Sequence, residues 1–161
     1  EAALYYARRG WPVLPIYEPD GRGCSCGNPQ CSSPAKHPRT RHGVQDATTN
    51  EARILSWWTQ WPEANIGLAT GKASGLLVLD IDPARGGDKS LEELKAKYGQ
   101  LIETLQCFTG GGGRHLYFLH PQVRIGNKVD FLPGLDVRGD GGYVVAPPSG
   151  HISGKIYIWK K

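Results

Sequence analysis

The stretch Gly75-Leu76-Leu77-Val78-Leu79-Asp80-Ile81-Asp82-Pro83 sets how the rest of the chain is read. It is an apolar run, rich in branched side chains and bounded by Gly and Pro, which specifies a buried central strand. Side chains alternate along a strand, so Asp80 and Asp82 share one face, with Cα atoms roughly 6.6 Å apart at a rise of about 3.3 Å per residue. Two carboxylates on a core strand are costly unless they are paired or bind a metal. A pair of hard oxygen ligands facing one way is what Mg²⁺ or Mn²⁺ requires. The plainer alternative is two solvated aspartates at a strand end before a turn.

With 161 residues the chain is long enough for one sizeable domain or for two small lobes sharing a core. A hydrophobic content of 39% and a charged content of 21% describe a globular chain. The net charge of +4 and the pI of about 8.9 fit a partner that bears phosphate. No apolar run approaches the ~20 residues of a membrane span. Nothing resembles a signal peptide, so a cytoplasmic location is expected. Glu1 falls inside a helix-like pattern, as expected of a piece of a longer protein.

Working outward from the acidic strand, residues 2–9 read as a helix end with Gly10 as its C′ residue. Trp11 to Tyr17 reads as a strand whose two prolines favour a sheet edge. Thr48-Thr49-Asn50-Glu51 supplies helix caps, Ile54, Leu55, Trp58 and Trp61 give a helical stripe, and Pro62 ends it. The three tryptophans here are read as core. Residues 65–71 form a strand and turn. Ser90-x-x-Glu93 has the form of a capping box, Leu91, Leu94 and Tyr98 form an apolar stripe, and Gly99 stops the helix. Residues 134–146 read as a hairpin turning at Asp140-Gly141-Gly142, with Asp136 and Arg138 on one face. Lys155 to Trp159 reads as a last strand. The order predicts an α+β architecture.

Residues 18–43 are polar, Gly- and Pro-rich, and hold three of the four cysteines in the pattern Cys24-x-Cys26-x4-Cys31-x5-His37. Such a loop has no apolar surface to fold on, and three thiolates with one imidazole make a tetrahedral structural Zn²⁺ site. A disulfide is the rival; Cys24 and Cys26 are too close to pair naturally, and an unsecreted chain meets a reducing compartment. Unligated cysteines are the bland alternative. His42 is a weaker fourth ligand than His37, and Cys107 is the spare, read as a core thiol. Lys36, Arg39 and Arg41 follow closely, either holding a phosphate backbone or simply solvated.

Strands at 105–109 and 114–120 flank Gly110-Gly111-Gly112-Gly113, and His115, Tyr117 and Leu119 share a face of the second. Four glycines exceed what a tight hairpin needs and let backbone amides approach an anion. Followed at once by Arg114 and His115, the loop suggests a triphosphate pocket.

Three motifs thus stand in order: Leu-Val-Leu-Asp-Ile-Asp, Gly-Gly-Arg-His-Leu-Tyr-Phe, and Gly-Leu-Asp-Val-Arg-Gly-Asp-Gly-Gly-Tyr-Val-Val-Ala-Pro-Pro-Ser. The set resembles the bifunctional primase–polymerase (prim-pol) domain of the archaeo-eukaryotic primase superfamily, found in plasmid, phage and mobile-element replication proteins. The resemblance covers nearly the whole chain, including a Cys-rich insert similar to that family's zinc element. It implies a single domain over 1–161: an N-terminal α/β lobe, about 1–71, with its zinc loop at 22–43, and an RRM-like catalytic lobe at 72–161, with the active-site cleft between them. By resemblance Asp80, Asp82 and Asp136 are the catalytic acids that bind two Mg²⁺ or Mn²⁺ ions. His115 contacts the phosphates of the incoming nucleotide, and Arg114, Gly113 and Arg138 join it. Gly113 stands where relatives carry a residue such as serine, so backbone amides replace a hydroxyl contact. The implied substrates are (d)NTPs and a single-stranded DNA template, the reaction is nucleotidyl transfer to a 3′-hydroxyl, and the expected partner is a linked or associated helicase or other replication domain.

Two rival functions make different demands on the sequence. A zinc-containing, RRM-like single-strand binder without catalysis needs exposed aromatics on its sheet, where this chain carries acids. A nuclease or rolling-circle initiator needs a His-hydrophobic-His triplet, and this chain has none.

Overall fold

The computed structural model describes residues 1–160. In chain order the elements are α1 (Ala2–Arg8), β1 (Val13–Ile16), α2 (Glu51–Gln60), β2 (Asn65–Ala69), β3 (Leu76–Ile81), α3 (Gly87–Tyr98), β4 (Leu105–Phe108), β5 (Arg114–Leu119), β6 (Lys128–Leu132), β7 (Leu135–Arg138), β8 (Tyr143–Ala146) and β9 (Ile158–Trp159). They form a three-stranded sheet in the order β1-β2-β8 and a six-stranded sheet in the order β6-β7-β3-β5-β4-β9. All pairings within both sheets are antiparallel. The fold is mixed α and β with few helices, as the sequence predicts.

β3 is central because it is apolar on both sides of its pleat, and it pairs with β5 on one edge and β7 on the other. β4 returns after α3 and lies beyond β5, so β3-α3-β4 is a split β-α-β unit. Val78, Cys107 and Tyr117 join Leu14, Ile16, Leu68 and Val144 in one core that bonds this sheet to the smaller one. Ile81, Leu116 and Leu135 pack with Leu91 of α3 in a second core. β1 is an edge strand, which is where Pro15 is tolerated. Tyr6 Oη donates to the Pro147 carbonyl at 2.6 Å and accepts from Trp159 Nε1 at 2.9 Å, which ties α1 to the end of the chain. Burial pushes the Tyr6 hydroxyl up to about 12.

Several local expectations are corrected. Residues 134–146 are not a hairpin: β7 pairs with β3 and β6, whereas β8 crosses to pair with β2 in the other sheet. The Asp140-Gly141-Gly142 turn is a crossover held by tertiary bonds. Thr70 Oγ1 donates to the Gly139 carbonyl at 2.7 Å, and Asp140 accepts from the amides of Lys72 and Ile125 at 2.9 and 3.1 Å. The true partner of β7 is β6, an irregular strand with Asp130 at φ 47°. Ser90 is not a cap. It lies inside α3 and donates to the Pro133 carbonyl at 2.8 Å, while left-handed Gly86 precedes the helix. Tyr98 and Leu55 point to solvent, and α2 buries Ile54 and Trp57 instead. The last strand is only two residues long.

Candidate active site

The register of the large sheet builds the site. Asp80 stands directly opposite Asp136 on β7 and directly opposite His115 on β5, and His115 stands opposite Cys107 on β4. Cross-strand partners share a face, so Asp136, Asp80, His115 and Cys107 form one row across four strands. Asp82 lies just past the end of β3 in an extended conformation, and its Oδ1 accepts from the Ala84 amide at 3.0 Å. The polar end of the row opens on a cavity of about 440 Å³. Asp80, Asp82, Asp136, His115, Arg138, Gly111 and Gly113 all line it.

Like charges directly opposite one another destabilise a sheet, and Asp80 and Asp136 are so placed. One compensation is visible. Asp136 Oδ2 accepts from Arg138 at 2.8 Å, and its Oδ1 accepts from the Asp130 amide at 2.8 Å. Asp130 reaches this position through its left-handed turn, and its side chain pairs with Arg85 from the segment after Asp82. Asp80 faces His115 Nε2 at 3.6 Å. Burial holds the His115 imidazole below its usual range, against the opposing pull of Asp80; Lys36 and Arg138 add to the lowering. This favours the neutral imidazole, whose Nδ1 lies 3.4 Å from the Tyr117 hydroxyl. The donor set is all hard oxygen on the acids, which suits Mg²⁺ or Mn²⁺. The three acids do not form a closed cluster: among the described residues, only the Cys–His set has three or more such ligand atoms within 4.8 Å of one another. Arg138 engages Asp136 Oδ2 and the Asp130 amide engages Oδ1.

The glycine loop abuts the row. Gly113 is required by close approach, because a Cβ there would meet the Ile81 carbonyl oxygen at 2.5 Å. That contact excludes serine as well, so no side-chain hydroxyl is available at this position. The turn uses Thr109 as its anchor, with the Gly112 and Gly113 amides donating to its carbonyl and hydroxyl at 3.1 and 3.0 Å. The Gly111 amide is not used within the turn and belongs to a residue on the cavity wall.

Arg114, expected at the pocket, is not there. It precedes His115 on β5, so alternation turns it to the opposite face, where it pairs with Asp88 of α3 at 2.6 Å. Arg39 is bound by Glu18 at 2.6 Å and lies over the Tyr17 ring at 4.3 Å, while Arg41 is exposed; neither lines the cavity. Lys36 does line it. The basic run therefore divides into three different environments. Arg85, Asn127, Tyr143 and Tyr157 also line the cavity and were missed from the sequence. Alternation from the Asp140-Gly141-Gly142 turn is the one signal that marks Tyr143.

Cys24, Cys26, Cys31 and His37 come together as the spacing predicts, with all four ligand atoms within 4.8 Å of one another. Cys24 Sγ lies 3.5 Å from His37 Nε2 and accepts the Ala35 amide at 3.3 Å. Burial, helped by Arg39, lowers the His37 pKa, which favours the neutral form that ligates a metal. Three soft thiolates and one imidazole fit Zn²⁺. His42 instead pairs with Asp46 at 3.2 Å. Cys107 is a fully buried core thiol, pushed up to about 12 by burial. No helix is long and apolar enough to cross a membrane among the described residues.

The profile of the family described as "Bifunctional DNA primase/polymerase, N-terminal" matches residues 3–161. No curated protein matches the chain. The chain belongs to the bifunctional DNA primase/polymerase family, whose reaction class is nucleotidyl transfer and whose substrates are DNA and nucleotides.

Proposed function

We propose that this member of the primase/polymerase family adds (d)NTPs to a 3′-hydroxyl on a single-stranded DNA template, in the cleft where the two sheets meet. The observation that carries this reading is the cross-strand row of Asp136, Asp80 and His115, in register and opening on one cavity with Asp82, Arg138 and Gly111. In this reading the smaller sheet, which draws its third strand β8 from beyond residue 72, forms with the cysteine loop an N-terminal lobe, and the larger sheet is an RRM-like catalytic lobe.

Asp80, Asp82 and Asp136 would hold the catalytic Mg²⁺ or Mn²⁺ ions. Such ions lower the pKa of an attacking hydroxyl and stabilise charge on the transferring phosphoryl group. The chain's own residues prepare that chemistry. The Asp130 amide fixes Asp136, so this carboxylate enters the site already oriented. Arg138 neutralises Asp136 and would also supply a donor to phosphate oxygens. His115, buried and neutral, donates a hydrogen bond without adding charge beside Asp80. The Gly111 amide would add a backbone donor on the cavity wall. Cys24, Cys26, Cys31 and His37 would hold the structural Zn²⁺. A linked or associated helicase would supply the unwound template.

Incorporation of labelled deoxy- and ribonucleotides on a single-stranded template, with and without primer, tests the reading. Divalent-dependent, templated products support it, and the same assay fixes sugar preference and whether priming is de novo. No product with any nucleotide, primer or cation contradicts it.

A further inference from the structure

The cysteine loop reaches the cavity through one short segment. Ser33 and Lys36 lie on the wall of the cavity that the acidic row also lines. Lys36 stands between two residues fixed by the Cys–His cluster: His37 is one of its ligands, and the Ala35 amide donates to Cys24 Sγ at 3.3 Å. Ala35 is buried, takes a left-handed φ of 57°, and gives its carbonyl to Asn65 Nδ2 at 3.1 Å. The Lys36 amide donates to the Ser33 carbonyl at 3.1 Å, and its carbonyl accepts from the Tyr143 hydroxyl at 2.9 Å. Its own amide and carbonyl are thus both held, the preceding Ala35 is held at both as well, and the Lys36 side chain stays exposed. Arg39 is consumed by Glu18 and Arg138 by Asp136, but among the described residues no carboxylate pairs with Lys36. An unpaired cation on a clamped backbone, at a cavity lined by a glycine loop and a buried histidine, is positioned for an anion.

We infer that Lys36 binds the triphosphate of the nucleotide held in this cavity, and that the Cys24, Cys26, Cys31 and His37 cluster serves to hold it there. The inference rests on the proposed nucleotide site and goes further: the metal loop forms a wall of the nucleotide pocket rather than a separate element for gripping DNA. Metal occupancy and nucleotide affinity are then coupled through one side chain.

The test is calorimetric titration of dATP in Mg²⁺ without template, so that no turnover occurs, alongside zinc content and single-stranded DNA affinity. Lys36→Ala weakens dATP binding about tenfold, the scale of one charge-assisted hydrogen bond, with zinc content and DNA affinity unchanged. Lys36→Arg restores most of the affinity. Arg22→Ala, a change in the same loop at a side chain away from the cavity, leaves it intact. Chelator treatment weakens dATP binding of the unaltered chain by the same factor and does nothing further to Lys36→Ala. If circular dichroism shows that chelation unfolds the chain, the Lys36→Ala and Lys36→Arg pair decides alone. Unchanged dATP binding in Lys36→Ala, with His115→Ala weakened, overturns this inference and leaves the nucleotide site standing. Loss of DNA affinity in place of dATP affinity also overturns it. No dATP binding by the unaltered chain overturns both.

Discussion

The six-stranded sheet has two faces made by alternate residues of the same strands; one is apolar against α3, and the other, apolar where Val78, Cys107 and Tyr117 join the shared core, turns acidic at the cavity. On one face Leu79, Ile81, Leu116 and Leu135 meet α3 with Leu91 and Leu94 in an apolar core. On the other, one residue away in each strand, Asp80, His115 and Asp136 stand shoulder to shoulder at the cavity. The first arrangement lowers the free energy of folding by burying apolar surface. The second raises it, because opposed carboxylates repel and a histidine is kept neutral by burial. An acidic patch at the cavity end of an otherwise packed face is expected where that patch has chemistry to perform.

The comparison is broken most directly by exchanging acids on the costly face. Asp80→Ala, Asp82→Ala or Asp136→Ala is expected to lower nucleotide incorporation by about 10³-fold or more, with non-additive double variants, because the three act together. Asp80→Ala also relieves repulsion, and its melting temperature rises by roughly 1–2 °C. An Asp80→Ala protein that melts well below the unaltered chain contradicts the idea that this face is a stability cost.

On the other face the sign inverts. Leu91→Ala removes a buried side chain of α3 and is expected to cost about 2–5 kcal/mol, read as a lower urea midpoint with unchanged slope. Incorporation per folded molecule stays near that of the unaltered chain. A fall in activity larger than the folded fraction explains would show that the faces are not independent.

The neighbours Arg114 and His115 give the sharpest contrast within one strand. His115→Ala is expected to raise the nucleotide KM or lower kcat by about 10²-fold without changing template affinity. Arg114→Ala leaves both kinetic constants alone. The smallest effect lies in the pair it breaks: a double-mutant cycle on Arg114 and the half-exposed Asp88 should give a coupling of about 0.2–1 kcal/mol. Kinetic loss in Arg114→Ala would restore it to the nucleotide site.

The same two faces show what a sequence can and cannot disclose. β3 was legible because an apolar run bounded by Gly75 and Pro83 leaves no other reading, and alternation puts both acids on one side. The Cys–His cluster was legible because its spacing is local. Arg114 was misplaced by treating adjacency to His115 as proximity, although alternation already separates the two. β7 and β8 were read as a hairpin because Asp-Gly-Gly is a hairpin signal. That turn instead bridges two sheets, through bonds from Thr70, Lys72 and Ile125 that lie far away in sequence. β6 was not legible, since its strand is broken by the left-handed Asp130 and largely exposed. Ser90 looked like a cap by pattern, and the Pro133 carbonyl claimed its hydroxyl.

The central proposal is that the cavity acids are sites for divalent cation together with nucleotide. Electron paramagnetic resonance of Mn²⁺ titrated into the chain with dATP measures this directly. The account predicts bound Mn²⁺ in the unaltered protein and in Asp88→Ala, whose acid lies on the α3 face, and loss of that signal in Asp80→Ala and Asp136→Ala. Undiminished Mn²⁺ binding in both cavity variants, or its loss in Asp88→Ala, would contradict it.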